Sequence, residues 1–145
     1  MSAKLESEPP LEAGLVLVDT SVWITFFRSA ESSTTRLLDQ LLAIGPVAIC
    51  APIRVEVISG TPTRRDFQRL RTFFSSLTDL PLPPNLWNDL EESRFALARE
   101  GYQASLIDLM IAHTAQWHQV PLWSLDQDFH RIAAVIPLRW YPPPR

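Results

Sequence analysis

The stretch Leu15-Val16-Leu17-Val18-Asp19-Thr20-Ser21-Val22-Trp23 limits the folds open to this chain. Four aliphatic residues run straight into an acid, two hydroxyl residues follow, and apolar residues then recur at helical spacing. That order predicts a buried strand that stops at Asp19 and turns directly into a helix. In open α/β sheets the ends of the central strands form the rim where ligands bind. The chain is therefore organised by one question: which other acids reach that rim.

Downstream, the pattern alternates. A helix is expected over 20–28, with Val22, Trp23, Phe26 and Phe27 on one stripe, and a second over 34–44, closed by Gly45-Pro46. Val47 to Cys50 reads as a strand. Pro52 opens a further helix, ended by Gly60-Thr61-Pro62. Helices follow at 63–77, 85–99 and 105–119. Asp79 to Pro84 is extended, an edge strand at most because of Pro81 and Pro83. Pro121 to Ser124 is a strand, 126–133 a turn with a helical segment, and Ile136 to Tyr141 a last strand before Pro142-Pro143-Pro144. Strands alternating with helices imply a mostly parallel sheet sandwiched by helices.

With 145 residues and a hydrophobic fraction of 46%, the chain has enough material for one domain with a substantial core. Residues 1–14 hold Glu6, Glu8 and Glu12 with two prolines, which suits a flexible leader and not a secretory signal. Residues 142–145 form a short tail. No apolar run is long enough to cross a bilayer, and the lone Cys50 reads as core, so a cytoplasmic location without membrane attachment is expected. Net charge is −3, yet all basic residues but Lys4 are arginines. Arg64, Arg65, Arg69 and Arg71 fall in one segment, where they are either a solvated face paired with Asp66 and Asp79 or contacts for phosphate.

In a parallel sheet with right-handed crossovers, every strand ends on one edge and each following helix begins there. Asp19 ends a strand. Glu56 lies in the first turns of the helix opened by Pro52, Asp108 in the first turn of the helix near Ser105, and Asp126 just past Leu122-Trp123, with Asp128 two residues on. Each has a structural explanation: Asp19 as an N-cap, Glu56 paired with Arg54 or another arginine, Asp108 in a capping box with Ser105, Asp126 in an Asx turn. Together they would repel one another unless a cation sits among them. Glu56 and Asp108 both stand among apolar sequence neighbours, which sharpens that cost. All-oxygen ligands favour Mg²⁺ or Mn²⁺. His113 and His118 have no cysteine to join them, so zinc is not indicated. Thr20, Ser21 and Ser124 could supply hydroxyls to the acids or to phosphate oxygens. The glycine-poor sequence has no phosphate-cradling loop, and Ser21 stands where a phosphatase of the haloacid-dehalogenase type needs a second Asp. A metal-dependent nuclease fits best.

Four segments also resemble the motifs of the PIN-domain ribonucleases, specifically the VapC-type toxins of toxin–antitoxin pairs. They are Val18-Asp19-Thr20-Ser21-Val22-Trp23, the helix residue Glu56, Ser105-Leu106-Ile107-Asp108-Leu109-Met110-Ile111-Ala112, and Leu122-Trp123-Ser124-Leu125-Asp126-Gln127-Asp128-Phe129. The likeness spans about residues 15–141. It implies a three-layer α/β/α sandwich with a five-stranded, mostly parallel sheet. It also implies Mg²⁺- or Mn²⁺-dependent RNA cleavage, homodimers and a cognate VapB-like antitoxin. Asp19, Glu56, Asp108 and Asp126 would be the metal ligands and catalytic acids, with Thr20, Ser21, Ser124 and Asp128 in support. Asp128 is expected to hold the turn. Ser124 replaces the commoner Thr, and Thr25 stands where many members carry another acid. The competing expectation is a catalytically weak PIN-like module that holds RNA or a partner without cutting.

Overall fold

The computed structural model describes residues 14–143. The expected leader thus lies outside the described residues, apart from Gly14, as do the last two residues of the tail. The elements are β1 (Val16–Val18), α1 (Thr20–Arg28), α2 (Ser33–Ile44), β2 (Val47–Ile49), α3 (Ala51–Ser59), α4 (Arg64–Ser75), β3 (Thr78–Asp79), α5 (Leu86–Arg99), α6 (Leu106–His118), β4 (Leu122–Trp123) and α7 (Asp128–Ile132). The sheet order is β3-β2-β1-β4, with every pairing parallel. Leu17 lies opposite Ala48 on one side and Leu122 on the other, so β1 is central and its three residues are buried. All strands therefore end on one edge, as the alternating pattern requires.

Local chemistry sets the boundaries. Ser32, Thr63 and Ser105 each accept a hydrogen bond from the backbone amide three residues on, capping α2, α4 and α6. Gly45 closes α2 with φ 112°, a left-handed conformation that costs glycine little. β3 is a two-residue edge strand that ends before Pro81 and Pro83.

The expected fifth strand shrinks to a single parallel bridge, Leu122 with Trp140. The Leu122 amide donates to the Arg139 carbonyl at 2.8 Å, and the Tyr141 amide donates to the Leu122 carbonyl at 2.9 Å. Two causes are visible. The Ile136 amide is used by a helical turn, donating to the Ile132 carbonyl at 2.9 Å, and Pro137 has no N–H to offer. β4, with two residues, also presents little to pair with.

The core is sealed beside β1 by Trp23, which is fully buried. Its indole N–H donates to the Val18 carbonyl at 3.1 Å, and its ring packs edge-on against Phe26, Phe73 and Phe74 at 5.1–5.7 Å between centroids. The cluster ties α1 to α4 and fixes α1 where it leaves the strand. Of the other four tryptophans, Trp123 is buried and Trp140 half-buried, whereas Trp87 and Trp117 are 70% and 59% exposed. Cys50 is buried, and burial pushes its thiol pKa up to about 12, in keeping with a core residue.

Between α5 and α6, Ser93 Oγ and His113 Nε2 form a buried 2.9 Å hydrogen bond. Burial lowers the His113 pKa. The unfolded chain then takes up this proton more readily than the folded one, so the neutral ring contributes stability above the unfolded value of about 6.5. That contribution is lost as pH falls through the lowered folded pKa. We expect His113→Gln to flatten the fall in melting temperature below pH 6.5, measured by thermal scans across pH.

Candidate active site

Asp19 stands one residue past β1 and caps α1. It is 4% exposed, yet every donor among the described residues reaches one oxygen. Asp19 Oδ2 accepts from the Ser124 hydroxyl at 2.7 Å, the Ser21 hydroxyl at 2.9 Å and the Ser21 amide at 3.4 Å. Among the described residues no donor reaches Oδ1. A buried carboxylate oxygen without a donor is costly unless another cationic or polar partner meets it.

The two serines are themselves fixed. Ser21 Oγ accepts from the Leu125 amide at 2.9 Å, and Ser124 Oγ accepts from the Asp126 amide at 3.0 Å. Each hydroxyl thus accepts a hydrogen bond from an amide of the loop after β4 and donates its own to Asp19. This loop and the start of α1 are locked around one carboxylate, although more than a hundred residues separate them in sequence.

Glu56, in the second turn of α3, reaches the same rim, where Glu56 Oε1 accepts from the Thr20 hydroxyl at 2.6 Å. It pairs with Thr20 and not with Arg54. The apolar surroundings expected for Glu56 are absent: it is exposed, and its neighbour Val55 is 61% exposed. Adjacent residues on a helix point about 100° apart, so apolar sequence neighbours do not enclose a side chain. Asp108 is half-buried, in the first turn of α6, with its amide donating to Ser105 Oγ at 3.0 Å. Burial, then the charges of Asp19 and Asp126, and finally that of Glu56, raise its pKa from the ordinary 3.8 to about 6, against the opposing Ser105 hydroxyl. Asp108 thus lies within electrostatic reach of the other three acids.

Asp126 and Asp128 are exposed. The turn between them is held by the Asp126 carboxylate, whose Oδ1 accepts from the Asp128 amide at 2.9 Å. Asp128 contributes its backbone to that turn. Three residues at this edge escaped the sequence reading. Asp79 ends β3 on the same edge, but Arg54 neutralises it at 3.0 Å. Tyr102 sits near Asp128, Asp108 and Asp126; burial first, then their charges, raise its pKa, and Arg131 lies over its ring at 4.3 Å. The Asp79 position was available from its strand, but neither Tyr102 nor Arg131 carries a motif. Thr25, in place of a further acid, is turned back to the Ser21 carbonyl at 3.2 Å.

The arginine segment divides. Arg64 and Arg71 both lie over the Phe67 ring, at 5.0 and 5.5 Å from its centroid. Arg69 instead lines a groove between α1, α3 and α4 that also contains Glu56. Asp79 pairs with Arg54 and with none of these four.

Among the described residues no three carboxylate, imidazole or thiol groups enclose an ion by themselves. The donor set nevertheless fits a hard divalent cation. It is all oxygen, it raises the pKa of its own half-buried member, and it leaves Asp19 Oδ1 without a donor. A hard divalent cation that keeps some of its waters needs no closed cage of protein ligands.

The PIN domain family matches residues 16–135. Ribonuclease VapC21 of Mycobacterium tuberculosis is 30% identical over 119 residues, covering 79% of this chain and 86% of that protein. Among solved structures, a toxin–antitoxin complex from Klebsiella pneumoniae contains a chain 28% identical, with TM-score 0.57 and coverage of 84% of this chain and 92% of that one. FitAcB from Neisseria gonorrhoeae, at 19% identity, shares the fold with TM-score 0.68 over 88% of this chain and 98% of that one. A parallel sheet that gathers Asp19, Glu56, Asp108 and Asp126 at one rim, together with these matches, places the chain in the PIN-domain family, among the VapC ribonucleases.

Proposed function

We propose that this protein is a Mg²⁺- or Mn²⁺-dependent endoribonuclease, the toxin of a toxin–antitoxin pair, acting in the cytoplasm as a homodimer that a VapB-like antitoxin neutralises. The observation that carries the reading is the buried Asp19, fixed through one oxygen and open at the other, with Asp108 lying within the fields of Asp19, Asp126 and Glu56. Asp19, Glu56, Asp108 and Asp126 would hold the cation. When bound, a divalent ion lowers the pKa of a coordinated water and neutralises charge on a phosphate under attack. The protein's own part is positional. Ser21 and Ser124 orient Asp19, Thr20 orients Glu56, and the Asp126–Asp128 turn fixes the loop that carries Ser124. These contacts pre-organise the acids so that little rearrangement accompanies the reaction.

Incubation with structured RNA and Mg²⁺ or Mn²⁺ should give internal cuts that EDTA abolishes. Persistence in EDTA, or in Asp19→Asn, would count against the reading and in favour of a contaminating nuclease. A protein that binds RNA but never cuts it would be the catalytically weak module instead. We further expect Ser124→Ala to slow cleavage about 10-fold or more, because groups that orient metal ligands commonly matter to that degree. Ser124→Thr, which keeps the hydroxyl, should remain near wild type on the same substrate.

A further inference from the structure

The groove between α1, α3 and α4 has a volume of about 620 Å³ and is lined in part by Glu56. Most arginines of the chain are occupied. Arg36 donates to the Glu31 carbonyl, Arg139 to the Gln119 carbonyl, and Arg54 pairs with Asp79. Arg64, Arg71, Arg99 and Arg131 lie over aromatic rings. That leaves Arg28, Arg65, Arg69 and Arg94 without a partner among the described residues. Of these only Arg28 and Arg69 line the groove. Asp66 and Glu56 line it as well, and Glu56 is already engaged by Thr20.

Alongside Arg28 and Arg69 the groove is lined by Phe27, which is 47% exposed. Its ring lies 6.0 Å from that of the fully buried Trp23 at an interplanar angle of 21°, and Phe26 and Phe73 meet it at 75° and 77°. Phe27 is therefore an aromatic side chain held by other rings while about half of it faces out. Fixed aromatic rings between cationic side chains are how proteins hold single-stranded nucleic acid without reading its sequence: bases stack and phosphates pair. An apolar peptide would use the aliphatic lining but would leave two cations unanswered.

We propose that this groove binds the single-stranded stretch of RNA next to the cleaved phosphodiester, with a base stacked on Phe27 and backbone phosphates on Arg28 and Arg69. The inference rests on the ribonuclease reading and adds to it a substrate path. Arg64 and Arg71, bound over Phe67, lie outside that path.

The test is fluorescence-anisotropy titration of the full chain with a short labelled oligoadenylate in EDTA, which separates binding from cutting. Phe27→Leu keeps the apolar volume and should weaken binding about 10-fold, the order lost when one stacked base is released. Arg28→Gln with Arg69→Gln should flatten the slope of log K against log salt by about 1.4, some 0.7 for each phosphate on a single strand. Arg65→Gln with Arg94→Gln, unpartnered arginines outside the groove, should leave both quantities unchanged. Thermal melts check each variant's fold, and the arginine pair carries the test if Phe27→Leu melts early. The proposal is overturned if the wild type does not bind the oligonucleotide, or if the outer arginine pair matters as much as the groove pair. It is also overturned if the groove variants lose only a co-expressed antitoxin, which would make the groove a peptide site. Cleavage of structured RNA in Mg²⁺ is scored separately. A wild type that cuts, with groove variants that bind and cut equally well, sinks this inference and leaves the ribonuclease intact. A wild type that never cuts sinks the ribonuclease reading itself.

Discussion

Asp108→Asn is expected to abolish RNA cleavage while raising the melting temperature of the protein in EDTA. The two effects share one cause. Asp108 is half-buried among the fields of Asp19, Asp126 and Glu56, and its pKa rises from 3.8 to about 6. A carboxylate whose folded pKa exceeds its unfolded value binds its proton more tightly in the folded chain. Its penalty is absent below pH 3.8, grows between 3.8 and about 6, and is complete at neutral pH. Asparagine has the same shape and no charge. Discounted for solvent screening at a half-exposed site, the gain is ~1 kcal/mol, or ~4 °C in melting temperature, above pH 6. Cleavage should fall by about 10²–10⁴-fold, since a missing ligand weakens both metal binding and the charge it neutralises. In saturating Mg²⁺ the order of stability should narrow or reverse, because only the wild type gains fully from the ion. Differential scanning fluorimetry with EDTA and with Mg²⁺, at pH 5 and pH 7.5, measures the effect. A variant less stable than wild type in EDTA at pH 7.5 would show that Asp108 is held by favourable contacts and not by strain.

Trp23→Ala should be the most destabilising single change on α1. The side chain is fully buried, donates to the Val18 carbonyl and touches four other rings. Large-to-small changes of this kind cost about 3–5 kcal/mol, a large share of the ~5–15 kcal/mol that stabilises a typical domain. The loss would also leave the Val18 carbonyl without that donor at the strand end that carries Asp19. Trp87→Ala, at a position 70% exposed, should lie within about 0.5 kcal/mol of wild type. Urea unfolding monitored by far-ultraviolet circular dichroism compares the two, and equal midpoints would refute the keystone role of Trp23.

The contrast between those two tryptophans shows where sequence reading stops. Helical spacing placed Trp23 on an apolar stripe with Val22, and both are buried. Trp87, Trp117, Trp123 and Trp140 are divided by the structure between core and surface. Helix boundaries were legible because Ser32, Thr63, Ser105 and Gly45 act within a few residues of themselves. The last strand was not. Its fate depended on a helical turn that takes the Ile136 amide and on the shortness of β4, neither of which an apolar run reveals.

Asp19 divides in the same way. The sequence by itself determined that an acid follows a buried strand and caps a helix, and that parallel topology sends Glu56, Asp108 and Asp126 toward the same edge. Periodicity and capping are local, and the handedness of crossovers is general, so both can be read without coordinates. Only the tertiary structure decided how each acid is held. Asp19 is gripped through one oxygen by serines from two distant segments, Glu56 stands in solvent on a threonine, and Asp108 is strained by its neighbours. Those properties come from burial and from charges brought together across the fold, which are sums over space and not over sequence.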